Sequence, residues 1–392
     1  MKENWKYKKL GEIATFTSGS RPAGGVGNIN EGVLSLGGEH IGRNGHIDLS
    51  SPKYVTYDYY NENKKGHIVE NDILLCKDGA LTGKVAILRG ELSSTCSMVN
   101  EHVFILRAKS ILQWYLFYFL YSHIGQLQLK IRIKGAAQGG LNGTNLKTIS
   151  IPVPPLPVQQ QIVAELDLLS DIIEKQKQQI AELDKLAQAT FYDMFGDPVT
   201  NEKGWEKSEL GKICDVRDGT HDSPEYYEHG FPLVTSKNII DGCISFDNVN
   251  YICEEDYLKI SKRSHVDNGD IIMPMIGTIG KPVIVKKSRD FAIKNVALIK
   301  FIKDSKANNI FIQAIMSSRA FDDYMKGKNK GGTQKFIALG DIRKLDIPVP
   351  PLQLQQSFAS KIEAIERQKE LISNSIRESR RLFDSRMEYW FG

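Results

Sequence analysis

The chain has 392 residues, of which 25% are charged, and its formal net charge is +4. A chain of this length ordinarily forms two or three domains, and a mildly basic surface permits nucleic-acid binding without requiring it. The five cysteines form no CxxC pair and are odd in number, which argues against a zinc site and a disulfide framework and indicates reduced cytoplasmic thiols.

The N-terminal segment and the most apolar run argue against secretion and membrane insertion. The segment MKENWKYKKLGEIATF is charged and has no apolar stretch, so we predict that there is no secretion signal. The run ILQWYLFYFLY, residues 111–121, has about half the length of a bilayer-spanning helix. We therefore predict a buried helix there, no membrane association and a cytoplasmic location.

A self-match divides the chain into two repeats. The segment IPVPPL at residues 151–156 recurs at residues 347–352, which is 196 residues downstream. The same offset relates Gln138 to Gln334, Gln159-Gln160 to Gln355-Gln356, and Phe195-Gly196 to Phe391-Gly392. With small gaps, Trp5 and Leu10-Gly11 match Trp205 and Leu210-Gly211. This period is too long for a solenoid, so the sequence predicts two copies of a whole domain.

Each repeat has the same predicted order of parts. Short β-branched runs separated by Gly, Asn and Asp turns indicate an α+β domain, and IPVPPL then favours a stiff, extended, polyproline-like segment before a long helix. We predict an α+β domain over residues 1–150 and a proline segment with a helix over 151–196. The second copy is predicted over residues 197–346 and 347–392.

The long helices carry the heptad pattern of a coiled coil. In residues 157–195 and in the second copy, apolar residues recur at alternating spacings of four and three. The first predicted seam consists of Ile162, Leu166, Leu169, Ile173, Gln176, Ile180 and Leu183. The second consists of Phe358, Ile362, Ile365, Lys369, Ile372, Ile376 and Phe383.

Two pairings could cover these seams, one within the chain and one between two chains. An antiparallel pair within the chain would set one α+β domain at each end of a helix about 58 Å long. It would also bring the polar seam residues Gln176 and Lys369 close together near the middle of the helices. Such residues either fix the register or are tolerated imperfections.

Basic residues at alternate positions precede each proline segment. Lys130, Arg132 and Lys134 match Lys326, Lys328 and Lys330 at the same offset, and each set runs into a glycine-rich turn. In an extended segment these cations would line one face and could contact a phosphate backbone. The alternative is a solvated charged surface.

A glycine-lysine turn also occurs in both copies, at residues 79–84 and 277–281. Its spacing is shorter than that of a P-loop, and Val85 and Pro282 replace the required Ser or Thr, so ATP binding is not expected. The turn fits a β-hairpin or a loop that faces DNA.

Catalytic signatures are absent from the sequence. There is no HExxH, GxSxG or helix-opening GxGxxG motif and no Asp/Asn-Pro-Pro-aromatic motif. His40, His102 and His221 have no metal-ligand spacing and are interpreted as structural or polar contacts. A self-contained nuclease or methyltransferase therefore has no motif in its favour.

The whole chain resembles the specificity subunit of type I restriction-modification enzymes. In the first copy the resemblance lies in Leu10-Gly-Glu-Ile, Ser18-Gly-Ser-Arg-Pro22, Asp72-Ile-Leu-Leu with the following glycine-lysine turn, and IPVPPL with Gln159-Gln-Gln-Ile. The second copy supplies Leu210-Gly-Lys-Ile, Asp270-Ile-Ile-Met and IPVPPL, but it matches the Ser18 segment only loosely, as Asp218-Gly-Thr-His-Asp-Ser-Pro224.

This resemblance implies two tandem target recognition domains of α+β fold, joined by two long helices in an antiparallel coiled coil. Each domain would bind one half of a split site in double-stranded DNA, and the chain itself would be non-catalytic. Two methyltransferase (M) subunits would supply S-adenosylmethionine-dependent adenine methylation, and restriction (R) subunits would supply ATP- and Mg-dependent cleavage. The alternative function is a coiled-coil homodimeric scaffold without sequence-specific DNA binding.

The candidate DNA-binding residues come from the basic sets, the glycine-lysine turns and neighbouring polar positions. They are Arg21, Lys77, Lys84, Lys130, Arg132, Lys134, Gln138, Lys237, Asn238, Lys281, Lys326, Lys328, Lys330 and Gln334. Residues that read bases are not assigned.

Overall fold

The structure, a computed structural model, describes residues 5–22, 25, 29–90, 92, 96–133, 140–240, 242–275, 282–301, 305–328 and 337–392, with the backbone alone for 324–328. Its contacts define two compact units. The first unit combines Met1–Lys177 with Asn374–Gly392, and the second is Gln178–Ser373. Each unit therefore joins one α+β domain to parts of both long helices, whereas the four predicted segments follow sequence order.

The first unit contains nine strands and five short α-helices among its described residues, followed by the first long helix. In chain order these are β1 (Lys6–Lys9), α1 (Leu10–Ile13), β2 (Ala14–Ser18), β3 (Val33–Leu36), β4 (Tyr54–Val55), α2 (Tyr57–Glu62), β5 (Ile73–Cys76), β6 (Val85–Ile87), β7 (Ser97–Val99), β8 (Val103–Ala108), α3 (Gln113–Tyr121), α4 (His123–Arg132), α5 (Gly143–Lys147), β9 (Ser150–Val153) and α6 (Leu156–Phe195).

A four-stranded antiparallel sheet forms the centre of the first unit, in the order β2-β8-β5-β6. Its middle strands are apolar at successive positions because both faces are covered. Ile73 and Leu75 face α3 and the long helices, whereas Leu74 and Cys76 face the sheet β4-β3-β7. Helix α3 is buried from Tyr115 to Leu120, so the buried helix predicted at residues 111–121 is confirmed. No helix in the described part of the chain is long and apolar enough to cross a bilayer.

The second unit repeats this arrangement. Its elements are β10 (Lys207–Glu209), α7 (Leu210–Ile213), β11 (Asp215–Asp218), β12 (Phe231–Val234), β13 (Ile239–Ile240), β14 (Cys243–Ile244), β15 (Asn250–Ile252), α8 (Glu254–Ser264), β16 (Ile271–Pro274), β17 (Val283–Ile284), β18 (Ala292–Ile293), β19 (Val296–Lys300), α9 (Asn309–Met316), α10 (Arg319–Lys328), α11 (Leu339–Arg343), β20 (Asp346–Pro348) and α12 (Leu352–Phe391). The sheets β11-β19-β16-β17 and β15-β12-β18 have the same order as their counterparts in the first unit.

The repeated Asp72 and Asp270 have the same structural role. Each follows a residue with positive φ, Asn71 (66°) or Gly269 (88°), and each carboxylate accepts a backbone N–H three residues upstream. Asp72 is buried and binds the Arg107 guanidinium through two hydrogen bonds of 2.6 Å. Lys300 takes this role for Asp270, at 2.6 Å. The repeated Asp therefore fixes the entry into the central strand.

Replacing Asp72 with Asn is expected to lower the free energy of unfolding by about 1.5 kcal/mol, near the lower end for hydrogen bonds to a charged group. The effect is limited because the Arg107 side chain is about half exposed and water can solvate it. Urea denaturation measures the change, with Glu70→Gln as the control, since Glu70 is exposed. An equal loss in both variants would contradict the role of Asp72.

The proline segments are not polyproline-like throughout, which corrects the prediction. Their first halves belong to strands, because Ile151 pairs with Lys8 in β1 and Ile347 pairs with Ser208 in β10. The two adjacent prolines of each segment, at residues 154–155 and 350–351, lie between the strand and the long helix. Pro157 lies in the first turn of α6, where a missing N–H costs nothing.

The repeated glutamines explain why the match extends past IPVPPL. Gln159 is buried, accepts a hydrogen bond from the Leu112 N–H and donates to the Pro154 carbonyl. Gln355 is buried in the same way, accepting from Asn308 and donating to the carbonyl of Pro350. Each glutamine thus ties its proline segment to the N-terminus of an earlier helix of the same repeat, α3 or α9.

The long helices α6 and α12, each of 40 residues, pair antiparallel in both units. In the first unit, Glu165 contacts Arg386 and Trp390. In the second unit, Phe191 packs against Phe358 with ring centroids 5.7 Å apart. Partner numbers in α12 fall as numbers in α6 rise. The predicted antiparallel coiled coil within the chain is confirmed, and the seam of α6 is covered by α12 of the same chain.

Every predicted seam residue is buried or half-buried. The expected proximity of the two polar seam residues is wrong, however. Gln176 donates to the Ser375 hydroxyl at 2.7 Å in the first unit, whereas Lys369 forms an ion pair of 2.7 Å with Asp184 in the second. The antiparallel register pairs residue 176 with 375 and residue 369 with 184, so each polar position has its own partner.

Each repeat ends in a phenylalanine that packs into the other α+β domain. Phe195, at the end of α6, lies in the core of the second unit beside Phe311, with ring centroids 4.7 Å apart. Phe391, at the end of α12, lies in the core of the first unit beside Tyr115, at 5.6 Å. The repeated Phe-Gly pair therefore marks the point where each long helix completes a core.

Candidate nucleic-acid interface

The sheet pairing of the first unit brings several strand ends to one edge. Ser18 at the end of β2 lies opposite Phe104 near the start of β8, and Cys76 at the end of β5 lies opposite Val103. The parallel pair β3–β7 ends at the same side, where residues 100–102 turn into β8. We call the segments 19–22, 77–84 and 100–102 the first loop edge.

The second unit has an equivalent edge. Asp218 at the end of β11 lies opposite Ala297, and Pro274 at the end of β16 lies opposite Val296 at the start of β19. Residues 294–295 connect β18 to β19 at this side. We call the segments 219–224 and 294–295 the second loop edge.

A glycine at each loop edge allows close backbone approach. A Cβ atom on Gly19 would lie 1.7 Å from the Val99 carbonyl oxygen, and one on Gly219 would lie 2.3 Å from that of Ile293. Both distances are shorter than any real contact, so only glycine fits. This packing fixes the direction in which the chain leaves β2 and β11.

The first loop edge carries a connected group of charged side chains. Arg21 lies 3.8 Å from Glu101, and Glu101 lies 3.3 Å from His102. His102 in turn lies 3.3 Å from Asp78, which forms an ion pair of 2.8 Å with Lys77. The cations are therefore held by carboxylates, and the Arg21 side chain stays 56% exposed.

The second loop edge is organised by the buried carboxylate of Asp218. It contacts Nε2 of His221 at 2.9 Å and forms an ion pair with Arg263 of helix α8. The other ring nitrogen of His221 lies 2.9 Å from the Asn295 side-chain oxygen. Lys294 donates to the hydroxyl of Ser223 at 2.6 Å. As His102 does at the first edge, His221 lies between two acceptors, but here one of them is a neutral amide oxygen.

An open cleft of about 500 Å³ adjoins this group in the second unit. Its walls are the segment 220–224 and helix α8. Lys259 and Arg263 contribute cations, and Asp222 and Asp256 contribute carboxylates. The cleft therefore offers hydrogen-bond donors and acceptors side by side, as a base edge requires, rather than a uniformly positive surface.

The hydrogen bonds to Asn295 and Asp218 raise the pKa of His221 above its ordinary value, while partial burial and the nearby Arg263 oppose the shift. Because the folded-state pKa is raised, the favourable contact is present at low pH and is lost as pH rises through that pKa. Imidazole titration by NMR should give a midpoint above 6.5 for His221. The Asp218→Asn variant is expected to lower that midpoint, because it removes a negative charge beside the ring.

The control for this titration is Asp222→Asn, since Asp222 is an exposed carboxylate of the same segment. Its substitution should shift the His221 midpoint less than Asp218→Asn does. A wild-type midpoint at or below 6.5 would contradict the doubly bonded geometry.

The four described residues of the basic sets are helical and not extended, which corrects that prediction. Lys130 and Arg132 lie in α4, and Lys326 and Lys328 lie in α10. The Ser122 hydroxyl caps the N-terminus of α4 by accepting from the Gly125 N–H, and the helix extends to Arg132. Alternate residues of a helix point to different sides, so these cations do not line one face.

Arg132 has a structural role in the first unit. Its guanidinium donates to the Thr148 hydroxyl at 2.8 Å, to the Thr148 carbonyl at 3.1 Å and to the Gln128 carbonyl at 2.8 Å. Lys130 is exposed on α4. Of the remaining members of the basic sets and turns, Lys134, Gln138, Lys281, Lys330 and Gln334 lie outside the described residues, as do the side chains of Lys326 and Lys328.

The first glycine-lysine turn is a β-hairpin turn that connects β5 to β6, as one of its two interpretations predicted. Gly79 has a φ of +81°, and the Gly83 N–H donates to the Cys76 carbonyl. Lys84 folds back to within 3.4 Å of the Ile41 carbonyl oxygen. The turn lies on the first loop edge, and its contact with DNA stays a prediction.

Two candidates at residues 237–238 differ in their exposure. Lys237 is exposed, but Asn238 is buried. The Asn238 side chain accepts from the Thr235 N–H at 3.0 Å, as His40 accepts from the Gly37 N–H at 2.8 Å in the first unit. Asn238 therefore caps a short turn, and its contact with DNA stays a prediction.

Sequence reasoning missed the group formed by Asp218, His221, Arg263 and Asn295. One signal was available, because Ser18-Gly-Ser-Arg aligns position by position with Asp218-Gly-Thr-His and places His221 opposite Arg21. No group of three or more potential metal ligands occurs in the part of the chain that the structure describes. All five cysteines are unpaired.

The chain matches twice the family model described as "Type I restriction modification DNA specificity domain", over residues 2–185 and 202–378. The two matches cover most of the chain. The two α+β domains and the greater part of both long helices lie within them.

Several curated proteins are similar along nearly the whole chain. The type I restriction enzyme MjaVIII specificity subunit of Methanocaldococcus jannaschii is 27% identical, over 93% of this chain and 86% of that protein. The EcoKI specificity subunit of Escherichia coli strain K12 is 19% identical, over 93% of this chain and 82% of that protein.

Solved structures share the fold. The S subunit of a type I restriction-modification system from M. genitalium has a TM-score of 0.58 at 14% identity, over 99% of this chain and 96% of that one. A structure from a study of complex assembly and conformational transition of the type I R-M system has a TM-score of 0.56 at 17% identity, over 99% and 98%.

Proposed function

Because the chain belongs to the family of type I restriction-modification DNA specificity domains, we propose that each of its units binds one half of a bipartite site in double-stranded DNA. The chain is then the sequence-specificity subunit of a type I complex. The observation that carries this proposal is the pair of loop edges, which occupy the same place in two copies of one fold but carry different charged groups.

Different side chains on equivalent edges suit a site with two different halves. Phosphate contacts position a protein on DNA, whereas base edges in the grooves supply the sequence information. The carboxylates at both edges would be repelled by DNA phosphates, so a surface that contacted only phosphates would not carry them. They fit a surface that accepts hydrogen bonds from cytosine or adenine amino groups beside cations that donate to guanine.

The chain itself is proposed to be non-catalytic and to act as a scaffold for partner subunits. Two methyltransferase subunits would carry S-adenosylmethionine, and restriction subunits would carry ATP and Mg. One feature of the long helices supports a partner that binds twice. Leu186 of α6 and Leu382 of α12 are equivalent at the repeat offset and are 52% and 50% exposed.

The test is methylation-sensitive sequencing of DNA from cells that express this chain with its adenine methyltransferase partner subunit. We expect N6-methyladenine in a split motif with a fixed gap, and no such motif when either protein is expressed alone. A competent complex that leaves no new methylated motif would overturn the proposal. The homodimeric scaffold would then be tested by concentration-dependent dimerisation.

A further inference from the structure

We propose that the equivalent positions 21 and 221 determine base preference in the two half-sites, Arg21 by direct contact and His221 by positioning Arg263. This inference rests on the proposed function, because it assigns residues to the DNA contacts of each unit. It adds His221, Asp218 and Arg263 to the candidates, and it gives Arg21 a specific role.

The equivalence of the two positions follows from the backbone. Arg21 and His221 each come two residues after a glycine that packs against the last residue of a strand, Val99 of β7 or Ile293 of β18. If one of these positions influences base preference in its half-site, the other is placed to do so in the other half-site.

The supporting residues are also equivalent. Glu101 lies two residues beyond Val99, and Asn295 lies two residues beyond Ile293, so both occupy the turn that enters the next strand. Glu101 approaches Arg21 and Asn295 approaches His221. Both held side chains stay exposed, at 56% and 61%. Each unit therefore presents a side chain from the same place and supports it from the same turn.

The chemistry differs between the two units. Arg21 forms a long ion pair of 3.8 Å with Glu101 and stays 56% exposed, and a guanidinium fork fits the two acceptors of guanine. The ring nitrogens of His221 are both engaged with its own unit, so this residue has no donor left for a base. It acts through Asp218, which it shares with Arg263.

Arg263 is the group that His221 positions. Its guanidinium is anchored by Asp218 at one end, is 66% exposed and lines the cleft. A charged His221 holds the Asp218 carboxylate in place, and a neutral His221 holds it less strongly. The other charged groups that face this site are Lys294 of the β18–β19 turn, Asp222 of segment 220–224, and Asp256 and Lys259 of α8.

The experiment selects DNA from a randomised duplex library with the full chain assembled with its methyltransferase subunits. The variants are Arg21→Gln and His221→Gln. Arg21→Gln is expected to weaken the preference at one base of the first half-site about ten-fold, which is the size of one lost base contact, and to leave the second half-site unchanged. His221→Gln is expected to weaken the second half-site alone.

A pH series separates positioning from a purely structural role. Between about pH 6 and pH 8, the wild-type complex should lose preference at the second half-site as His221 loses its proton. The His221→Gln complex should show no such dependence at the second half-site. A structural defect would lower binding equally at all pH values.

The matched controls are Lys109→Gln and Lys306→Gln. Lys109 directly follows the last residue of β8, and Lys306 lies between β19 and α9. Both are exposed, and the loop edges lie at the opposite ends of β8 and β19. Their substitution should leave both half-sites intact. The inference is overturned if Arg21→Gln and His221→Gln keep wild-type preferences, or if either changes both half-sites together. If the wild-type complex selects no bipartite site, the proposed function fails as well.

Discussion

Replacing Phe195 with Ala is expected to destabilise the second unit by about 3–5 kcal/mol, the usual loss for a buried phenylalanine. Phe195 is only 2% exposed. Its ring contacts those of Phe311, Phe358 and Phe191, with centroids 4.7, 5.3 and 5.4 Å away. The cavity would therefore open at the centre of an aromatic cluster that cannot collapse without moving two long helices.

The equivalent substitution, Phe391→Ala, is expected to act on the first unit instead. Phe391 packs against Tyr115 and Phe119 of α3, at 5.6 and 5.9 Å. It comes from the helix that begins in the second unit, as Phe195 comes from the helix that begins in the first. Phe195→Ala, at the end of the first repeat, should thus destabilise the second unit. Phe391→Ala, at the end of the second repeat, should destabilise the first unit.

Hydrogen exchange measures this result better than a single melting curve, because a chain of two units need not unfold in one transition. Phe195→Ala should reduce protection in α9 and β16, and Phe391→Ala should reduce it in α3 and β5. Leu186→Ala serves as the control, because Leu186 is about half exposed. Equal loss of protection in both units for either variant would contradict this assignment.

The parts of the fold that the sequence predicted are those set by local pattern. The heptad spacing of Ile162, Leu166 and Leu169 is a property of neighbouring residues, so the long helices could be found without any structure. The repeat itself was visible because both copies keep IPVPPL and the glutamine that ties it down. The seams alone left pairing within the chain and pairing between chains open, and the family resemblance implied the antiparallel pair within the chain.

The basic sets show where a local pattern misled. Alternation of charge at Lys130 and Arg132 was interpreted with the two-residue period of a strand. The Ser122 cap and the buried Leu129 belong instead to a helix, and these signals lay upstream of the charged residues. The helical period was therefore present in the sequence, but the spacing of the charged residues alone did not reveal it.

The loop edges could not be predicted, because residues far apart in sequence form them. Arg21 and Glu101 meet only because β2 pairs with β8, and the same holds for His221 and Asn295 across β11 and β19. Sheet register of this kind is decided by the whole core, not by a segment. The alignment of Ser18-Gly19 with Asp218-Gly219 indicated that the two segments are equivalent, but not which residues lie opposite them in the sheet.

Replacing Gly219 with Ala is expected to destabilise the second unit by about 3 kcal/mol, at the upper end for overpacking, because the new methyl group meets a backbone carbonyl and not a flexible side chain. The Ile293 oxygen lies 2.3 Å from the position of that Cβ. To relieve the clash, the segment after β11 must move away from β18. This displaces His221 from Asn295 and removes the base preference of the second half-site.

Gly19→Ala is the corresponding change in the first unit, where the Val99 oxygen lies 1.7 Å from the new Cβ, so its effect should be at least as large. The control is Gly340→Ala in helix α11, where nothing lies within 4 Å and alanine favours the helix. Denaturation with library selection then gives stability and half-site preference for the same variants. If Gly219→Ala kept the second half-site, the close packing of this glycine would not be what positions the recognition segment, and the equivalence of positions 21 and 221 would lose its structural basis.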